Sequence, residues 1–361
     1  MSQIKVLHVI ARMNIGGTAR YVGDLVGNIS SSALATGYVQ DGEIEDLVVS
    51  SLPVHRLSHM GRKISPLNDF KACLELRKLI KELNPQIVHT HTFKAGLIGR
   101  LIKGKHKRVH SFHGHLFGDQ SFSSMEKDLI TSVEKYLARR TDFLISVGEK
   151  VGIELRSSGI GKQQNWMSIP PGVDPLPTTE KIGAREKLGL KREGVLIGWM
   201  ARMAEVKNPF LLLDIARELP NVNFVMAGGG KLLPAVVTSA PPNISVIGWV
   251  DSATFWSAVD CAVSTSDNEG MPIALIEAQL AGIPVVTTDV GSSSEVVVND
   301  LTGFVTAKNR LQLIEAIRVL VEDSAQRESM GKSAKIWARE NFSKDECTAK
   351  HEIIYDQILL N

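Results

Sequence analysis

Two carboxylates and two cations are the residues of this 361-residue chain whose types and spacing most suggest chemistry. Glu269 and Glu277 stand eight positions apart in SDNEGMPIALIEAQLAGIPVV, with Gly270, Met271, Pro272 and Ile273 directly after the first. A carboxylate at each end of such a segment can accept hydrogen bonds from sugar hydroxyls. Pro272 suits the first turn of a helix, where backbone N–H groups lack intrahelical acceptors and can take an anion or a hydroxyl. Arg202 and Lys207 lie five apart in GWMARMAEVKNPFLLLDIA. Two cations on one loop can neutralise a diphosphate and the charge that builds on it as it leaves. Taken singly, each glutamate reads as a helix cap or a solvated residue and each cation as a surface charge. The combined strings favour the chemical reading.

Smaller motifs accompany these. Gly16 and Gly17 follow the first strand-like run, where the lack of Cβ lets backbone approach a ligand, and Arg20 stands at the start of the next helix. VHTHTFKAG carries His89, His91 and Lys94, and HSFHGH carries His110, His113 and His115. His89 and His91 would share one strand face and His113 and His115 another. No His pair at i, i+4 with a glutamate occurs, so a zinc centre is not expected. Gly228–Gly230 follow the run NVNFVMA, and Gly248 and Trp249 follow ISVI. MGKS at 330–333 has Gln326 where a phosphate-binding loop needs its first glycine. No Asp-x-Asp, the usual metal-diphosphate clamp, is present.

On these residues the chain resembles the retaining glycosyltransferases of family 4 (glycosyl transferases group 1), which have the GT-B fold. The resemblance implies a donor-binding set of Gly16, Gly17, Arg202, Lys207, Gly229, Gly248, Trp249, Glu269, Gly270, Met271, Pro272, Ile273 and Glu277. Glu269 and the amides after it would hold the donor sugar, Glu277 the ribose, and Arg202 with Lys207 the diphosphate. His113 would line the sugar pocket near the reacting centre, making His113, Arg202, Lys207 and Glu269 the catalytic group. Gly17, Arg20, His91 and Lys94 would face the acceptor. No metal and no cofactor is expected beyond the nucleotide sugar itself, a co-substrate.

The elements that must position these residues alternate strand and helix. Strand-like runs IKVLHVI, QIVHTH, RVHSFHG and DFLISVG are separated by helical stretches, the signature of a parallel sheet covered on both faces. The Pro- and Gly-rich IPPGVDPLP interrupts the pattern, which restarts with VLIGWMA, NVNFVMAGG, ISVIGWV, CAVSTS, PVVTTDV and GFVTA. The expected architecture is α/β: two Rossmann-like doubly wound parallel-sheet domains with a cleft between them. Residues 1–172 form an acceptor domain, 173–340 a donor domain, and 341–361 a helix packing back on the first. Residues 33–65 look short for two strand units, and the stretch from Arg327 onward reads as helical.

Composition fits two globular domains, with 43% hydrophobic and 22% charged residues. No stretch approaches the roughly 18 apolar residues that span a bilayer, and Ile4–Ile10 is too brief for a signal segment. Cys73, Cys261 and Cys347 are far apart, which suits free thiols in a cytoplasmic protein. Residues 1–172 carry 23 Lys and Arg against 15 Asp and Glu, while the remainder carries 18 against 24. With Arg100, Lys103, Lys105, Lys107 and Arg108 clustered, the basic half suits an anionic membrane's inner face or a merely solvated surface; no nucleic acid partner is expected. The expected activity is metal-independent transfer of a hexose or N-acetylhexosamine from a nucleotide diphosphate sugar, UDP-linked, to a glycan or lipid-linked acceptor in cell-envelope polysaccharide synthesis. A non-catalytic nucleotide-sugar-binding protein and a sugar-nucleotide epimerase of the same fold are the alternatives.

Overall fold

The computed structural model describes residues 5–40, 42–61, 65–114, 123–161 and 165–360. They divide into two compact units, Met1–Gly172 with Lys344–Asn361, and Val173–Ser343.

Unit 1 contains β1 (Val6–Ile10), α1 (Gly17–Asn28), β2 (Ser32–Thr36), β3 (Val54–Arg56), α2 (Pro66–Leu83), β4 (Ile87–His91), α3 (Thr92–Leu101), β5 (Lys107–Phe112), α4 (Ser124–Ala138), β6 (Phe143–Ser146), α5 (Glu149–Ser157) and β7 (Trp166–Ser168). The strands form one sheet in the order β3-β2-β1-β4-β5-β6-β7. All its pairs are parallel. The segment 33–65, expected to be short for two strand units, nonetheless holds β2 and β3; β3 is only three residues long and a 3-10 turn replaces the usual helix. Local signals set the helix ends. Pro66 opens α2 and Asn84 closes it in the left-handed region, while Ser123 and Glu126 cap α4 reciprocally.

Strand alternation sends the two sheet faces into separate cores. Val6, Ile10, Ile87 and Val109 pack under α1 and the last helix of the chain. Leu7, Val9, Ala33 and Val88 pack under α2 and α3. In phase with Val6 and Ile87, the positions of His8, His89 and His91 lie on the α1 face, and all three are fully buried.

Unit 2 contains α6 (Lys181–Lys187), β8 (Leu196–Met200), α7 (Pro209–Glu218), β9 (Asn223–Ala227), α8 (Leu233–Ser239), β10 (Ile244–Gly248), α9 (Ser252–Ala258), β11 (Cys261–Ser264), α10 (Ile273–Leu280), β12 (Val285–Thr288), α11 (Ser293–Val296), β13 (Gly303–Thr306), α12 (Arg310–Glu322) and α13 (Ser324–Asn341). Its parallel sheet runs β10-β9-β8-β11-β12-β13. Ile197, Trp199, Phe224 and Met226 face α7 and α12; Leu196, Val225, Ala227 and Ala262 face α9 and α10. The helical stretch expected from Arg327 onward breaks at Phe342 and Ser343 into α13 and α14 (Lys344–Leu360). The last of these belongs to unit 1. MGKS lies inside α13, where Gly331 packs so closely on the Gly282 carbonyl that a Cβ would come within 2.3 Å of it. That motif is helix packing.

One expectation about the basic half is corrected here. Arg100 is 1% exposed and its Nη2 donates to both carboxylate oxygens of Glu134, at 2.8 and 2.7 Å. Arg108 is half-buried, with Nη1 donating to the Arg140 carbonyl. Arg100 therefore does not belong to a solvated basic patch, because it is committed to the buried Glu134 carboxylate, and Arg108 is partly withdrawn to bond the Ile102 and Arg140 carbonyls. Removing one partner of a buried ion pair strands the other charge, so Glu134→Ala should lose roughly 3–5 kcal/mol in urea unfolding. The double change Arg100→Met with Glu134→Leu should recover most of that loss.

Candidate functional site

In each unit the strand order reverses once, between β8 and β11 in unit 2 and between β1 and β4 in unit 1. Ligands of open α/β sheets bind at the carboxyl ends of the strands flanking such a reversal. Arg202, Lys207, Glu269 to Pro272, Gly16 and His91 fall at these two points, whereas Gly229, Gly248, Trp249 and His113 follow the neighbouring strands and Glu277 and Lys94 lie within helices.

In unit 2 the loop after β8 carries exposed Arg202, then a 3-10 turn over Glu205–Lys207. Asn208, left-handed at φ 46°, caps α7 by accepting from the Leu211 amide, and Pro209 takes the first helical position. The loop after β11 is tied to this one. Thr265 donates its hydroxyl to the carbonyls of Lys207 and Asn208 and receives the indole N–H of Trp199 at 3.1 Å. The Asp267 amide donates to the Val206 carbonyl, and Asn208 Nδ2 donates to the Asp267 carboxylate. On this frame Lys207 Nζ lies 2.5 Å from Glu269 Oε1, which also accepts from Ser266 Oγ at 2.7 Å. Neither bond uses Glu269 Oε2.

A third loop braces Glu269 from behind. Thr288 donates to the Ser266 carbonyl, and the Ser292 amide donates to the Gly270 carbonyl. Gly291 passes so near Glu269 that a Cβ would sit 1.8 Å from its carbonyl oxygen, with φ at +50°. Glycine is obligatory there. From Gly270 the chain enters α10 through Pro272, which is the N-cap and stands one residue earlier than the first-turn position expected. Met271 and Ile273 rest against the core. Glu277, 4% exposed, receives the Trp256 indole N–H at 3.3 Å. Beyond β9, Gly229 lies under the half-exposed Trp249, whose Nε1 would be 2.2 Å from a Cβ on Gly229. The Gly228 amide donates to the Gly248 carbonyl at 2.6 Å. The structure thus joins Lys207, Glu269 and Gly270 directly, and places Gly229, Gly248 and Trp249 together one strand away. Ser266, Trp256 and Gly291 were not singled out in the sequence. Their signal is only proximity to a motif or to a loop end.

In unit 1, Gly16 is exposed at φ +152°, a conformation that only glycine adopts readily, and Gly17 begins α1 with half-buried Arg20 one turn on. At the end of β4, Thr92 has φ +65°, which is strained for a β-branched residue and persists only where surroundings enforce it. His91 and Lys94, expected to face the acceptor, have internal partners. Lys94 is 7% exposed and ion-paired with Asp69. His91 Nε2 lies 3.0 Å from His8 Nδ1, and His91 Nδ1 lies 3.1 Å from His113 Nε2. His113 therefore joins the His91 layer, contrary to the expectation of separate faces. The reason is the register: β4 and β5 pair in parallel with His89 opposite Val109 and His91 opposite Ser111, so the odd positions of both strands share the α1 face, and His113 follows in phase with Val109 and Ser111. His115 lies outside the described residues. His110 faces the other side, against Thr90 Oγ1.

The layer continues through Tyr355 Oη, 2.6 Å from His89 Nδ1, Ser111 Oγ, 2.7 Å from His89 Nε2, and Tyr21 Oη, 3.0 Å from His351 Nε2. His8, His89 and His91 place nitrogen atoms within 4.8 Å of one another, a spacing that can hold a metal ion. Every nitrogen of the three except His8 Nε2 is already hydrogen-bonded. Burial holds these rings neutral, pushing His8 and His113 to about 3 and His351 to about 4.

Residues 180–337 match the family model described as Glycosyl transferases group 1, and residues 16–172 match that of the Glycosyl transferase 4-like domain. The chain belongs to the group 1 glycosyltransferases and has their GT-B fold of two Rossmann-like domains. It is 27% identical to the UDP-Gal:alpha-D-GlcNAc-diphosphoundecaprenol alpha-1,3-galactosyltransferase of Escherichia coli, over 89% of this chain and 88% of that one. It is 26% identical to the capsular polysaccharide biosynthesis glycosyltransferase CapM of Staphylococcus aureus, over 88% and 93%. Among solved structures it resembles sucrose-phosphate synthase from Thermosynechococcus elongatus, with a TM-score of 0.85 at 17% identity, covering 99% of each chain. Anabaena Alr3699/HepE, solved with UDP and glucose, gives 0.81 at 17% identity, covering 98% of this chain and 100% of that one.

The buried imidazoles fix a pH dependence. Above the ordinary value of 6.5 they are neutral folded or unfolded and have no effect on stability. Below it the unfolded chain takes up protons that the buried rings refuse until about pH 4 for His351 and about 3 for His8. Stability should therefore fall as pH drops from 6.5 toward 4. Urea midpoints measured between pH 7.5 and 5 should show the decline, and His351→Gln should flatten it.

Proposed function

We propose that this glycosyltransferase transfers a hexose or N-acetylhexosamine from a UDP-sugar to a lipid-linked acceptor, with retention and without a metal, in cell-envelope polysaccharide synthesis. The observation that carries this reading is the Lys207–Glu269–Ser266 contact at the sheet reversal of unit 2, where Lys207 shares its loop after β8 with Arg202. Lys207 and Arg202 neutralise the donor diphosphate and the charge that develops on it as the glycosidic bond breaks. Glu269, steadied through Oε1, accepts from a sugar hydroxyl at Oε2. Backbone N–H groups after Gly270 meet other sugar oxygens. Glu277, held by Trp256, accepts from the ribose, while Gly229, Gly248 and Trp249 adjoin the base. Gly16, Gly17 and Arg20 serve the acceptor side, with Arg20 on a phosphate. Fixed cations and amides do the work that a metal clamp does elsewhere, and the lack of Asp-x-Asp agrees with this. The 27% identity to a galactosyltransferase named for UDP-Gal and a diphosphoundecaprenol-linked acceptor supports the donor and acceptor classes.

Arg202→Ala and Lys207→Ala should each lower kcat by about 10²–10³-fold, the scale of one oxyanion donor. Transfer to a lipid-diphosphate sugar acceptor, followed with radiolabelled UDP-hexoses in EDTA, is the assay. Undiminished turnover in either variant would remove the diphosphate assignment.

Unit 1 offers the surface for a lipid-linked acceptor's membrane, which would place the enzyme at the inner face of the cytoplasmic membrane. No helix among the described residues is long and apolar enough to span one. On α2, however, Leu67, Phe70 and Leu74 are 78%, 64% and 50% exposed, and exposed Lys71, Arg77, Lys78 and Lys81 share their helical face. An outward apolar stripe beside basic residues suits shallow insertion into an anionic surface. Vesicles containing phosphatidylglycerol should sediment the protein at low salt. Leu67→Ser, Phe70→Ser and Leu74→Ser together should abolish that without lowering the melting temperature.

A further inference from the structure

The three rings His8, His91 and His113 form an unbranched hydrogen-bonded chain, Nδ1 to Nε2 at 3.0 Å and again Nδ1 to Nε2 at 3.1 Å. A neutral imidazole carries one N–H and one bare nitrogen, so each nitrogen–nitrogen contact needs one of each. Only two registers satisfy both contacts. In one, all three rings are protonated at Nδ1; in the other, all three at Nε2. A change at any ring must run through the whole chain. The far end decides between them, because His8 Nε2 is buried with no hydrogen-bond partner. In the second register that atom is an orphaned N–H, and in the first a bare nitrogen. Orphaned N–H groups are the rarer of the two in protein interiors.

We infer that His8 and His91 are positioning residues that hold His113 as the Nδ1–H tautomer, so that His113 meets its substrate as a hydrogen-bond donor and not as a base. His8 is 0% exposed and acts on His113 only through His91. The neighbouring rings are fixed independently. His351 Nδ1 donates to the Cys347 carbonyl at 2.7 Å, so its Nε2 accepts from Tyr21 Oη. His89 spans Tyr355 and Ser111 and is not a link of the chain. The functional half of the inference rests on the reading that His113 touches the reacting sugar; the tautomer half does not.

Long-range proton–nitrogen spectra of the full chain labelled with 15N-histidine, at pH 7.5, test it. The resonances are assigned by single replacement of each ring. His8, His91 and His113 should all show a protonated Nδ1 and a bare Nε2. An Nε2–H signature at any of the three, or a shift of all three on adding Zn2+ alone, overturns the register. His8→Leu removes the far end and should leave His113 as a mixture of tautomers, whereas His8→Asn, whose amide can still donate to His91 Nε2, should restore the single form. Kinetically, His8→Leu should lower kcat roughly tenfold, the scale of one neutral hydrogen bond, with KM little changed, and His8→Asn should recover it. The expected spectra with unaltered kcat would uphold the tautomer chain and remove His113 from the reacting sugar.

Discussion

A lysine and a glutamate 62 residues apart in sequence share one oxygen at the point where the unit 2 sheet reverses direction, and most of that unit's loop structure exists to keep them there. Neither side chain is rigid alone. Lys207 is fixed because its backbone is stapled by the Thr265 hydroxyl and followed by a left-handed Asn208. Glu269 is fixed because Ser266 binds the same oxygen and a glycine presses against its carbonyl. A charged pair kept partly from water in this way is held in place by its loops before any ligand arrives, which is the preorganisation that the proposed diphosphate role of Lys207 would draw on.

Unit 1 solves a different problem. Six of its described histidines are buried, and the α1 face of the sheet holds a polar layer where a hydrophobic one would have been cheaper. Such a layer is tolerable only when nearly every polar atom finds a partner. Tyr21, Tyr355 and Ser111 supply those partners, from two helices and the neighbouring strand.

Much of this was legible in the sequence because it is local. The alternation of strand and helix, the Pro/Gly-rich break near residue 170 and the glutamate pair are patterns within short windows. The parts that were not legible depend on contacts distant in sequence. Arg100 reads as one of a basic run, yet on α3 it follows Gly96 by four positions, so that the two share a face and the guanidinium turns inward to Glu134. Lys94 reads as a reachable cation, and only the fold brings Asp69 to it. The strands β2 and β3 escaped notice because only a 3-10 turn separates them and β3 is three residues long. Trp256 and Gly291 are ordinary residues in one dimension, and each acquires its role by touching Glu277 or Glu269 from a distant position; Ser266 is local to Glu269, but only the turn of the loop aims its hydroxyl at that carboxylate.

The C-terminal helix gives unit 1 an unusual biography. Its last 18 residues emerge from the ribosome only after all of Val173–Ser343 has been made, yet they carry Tyr355 and His351, which complete the polar layer around His89 and Tyr21. Until those residues have been made, the first sheet lacks the cover that they supply, whereas the sequence of the second unit is continuous and precedes them. Unit 1 is thus begun first in the chain, yet its last helix follows all of unit 2.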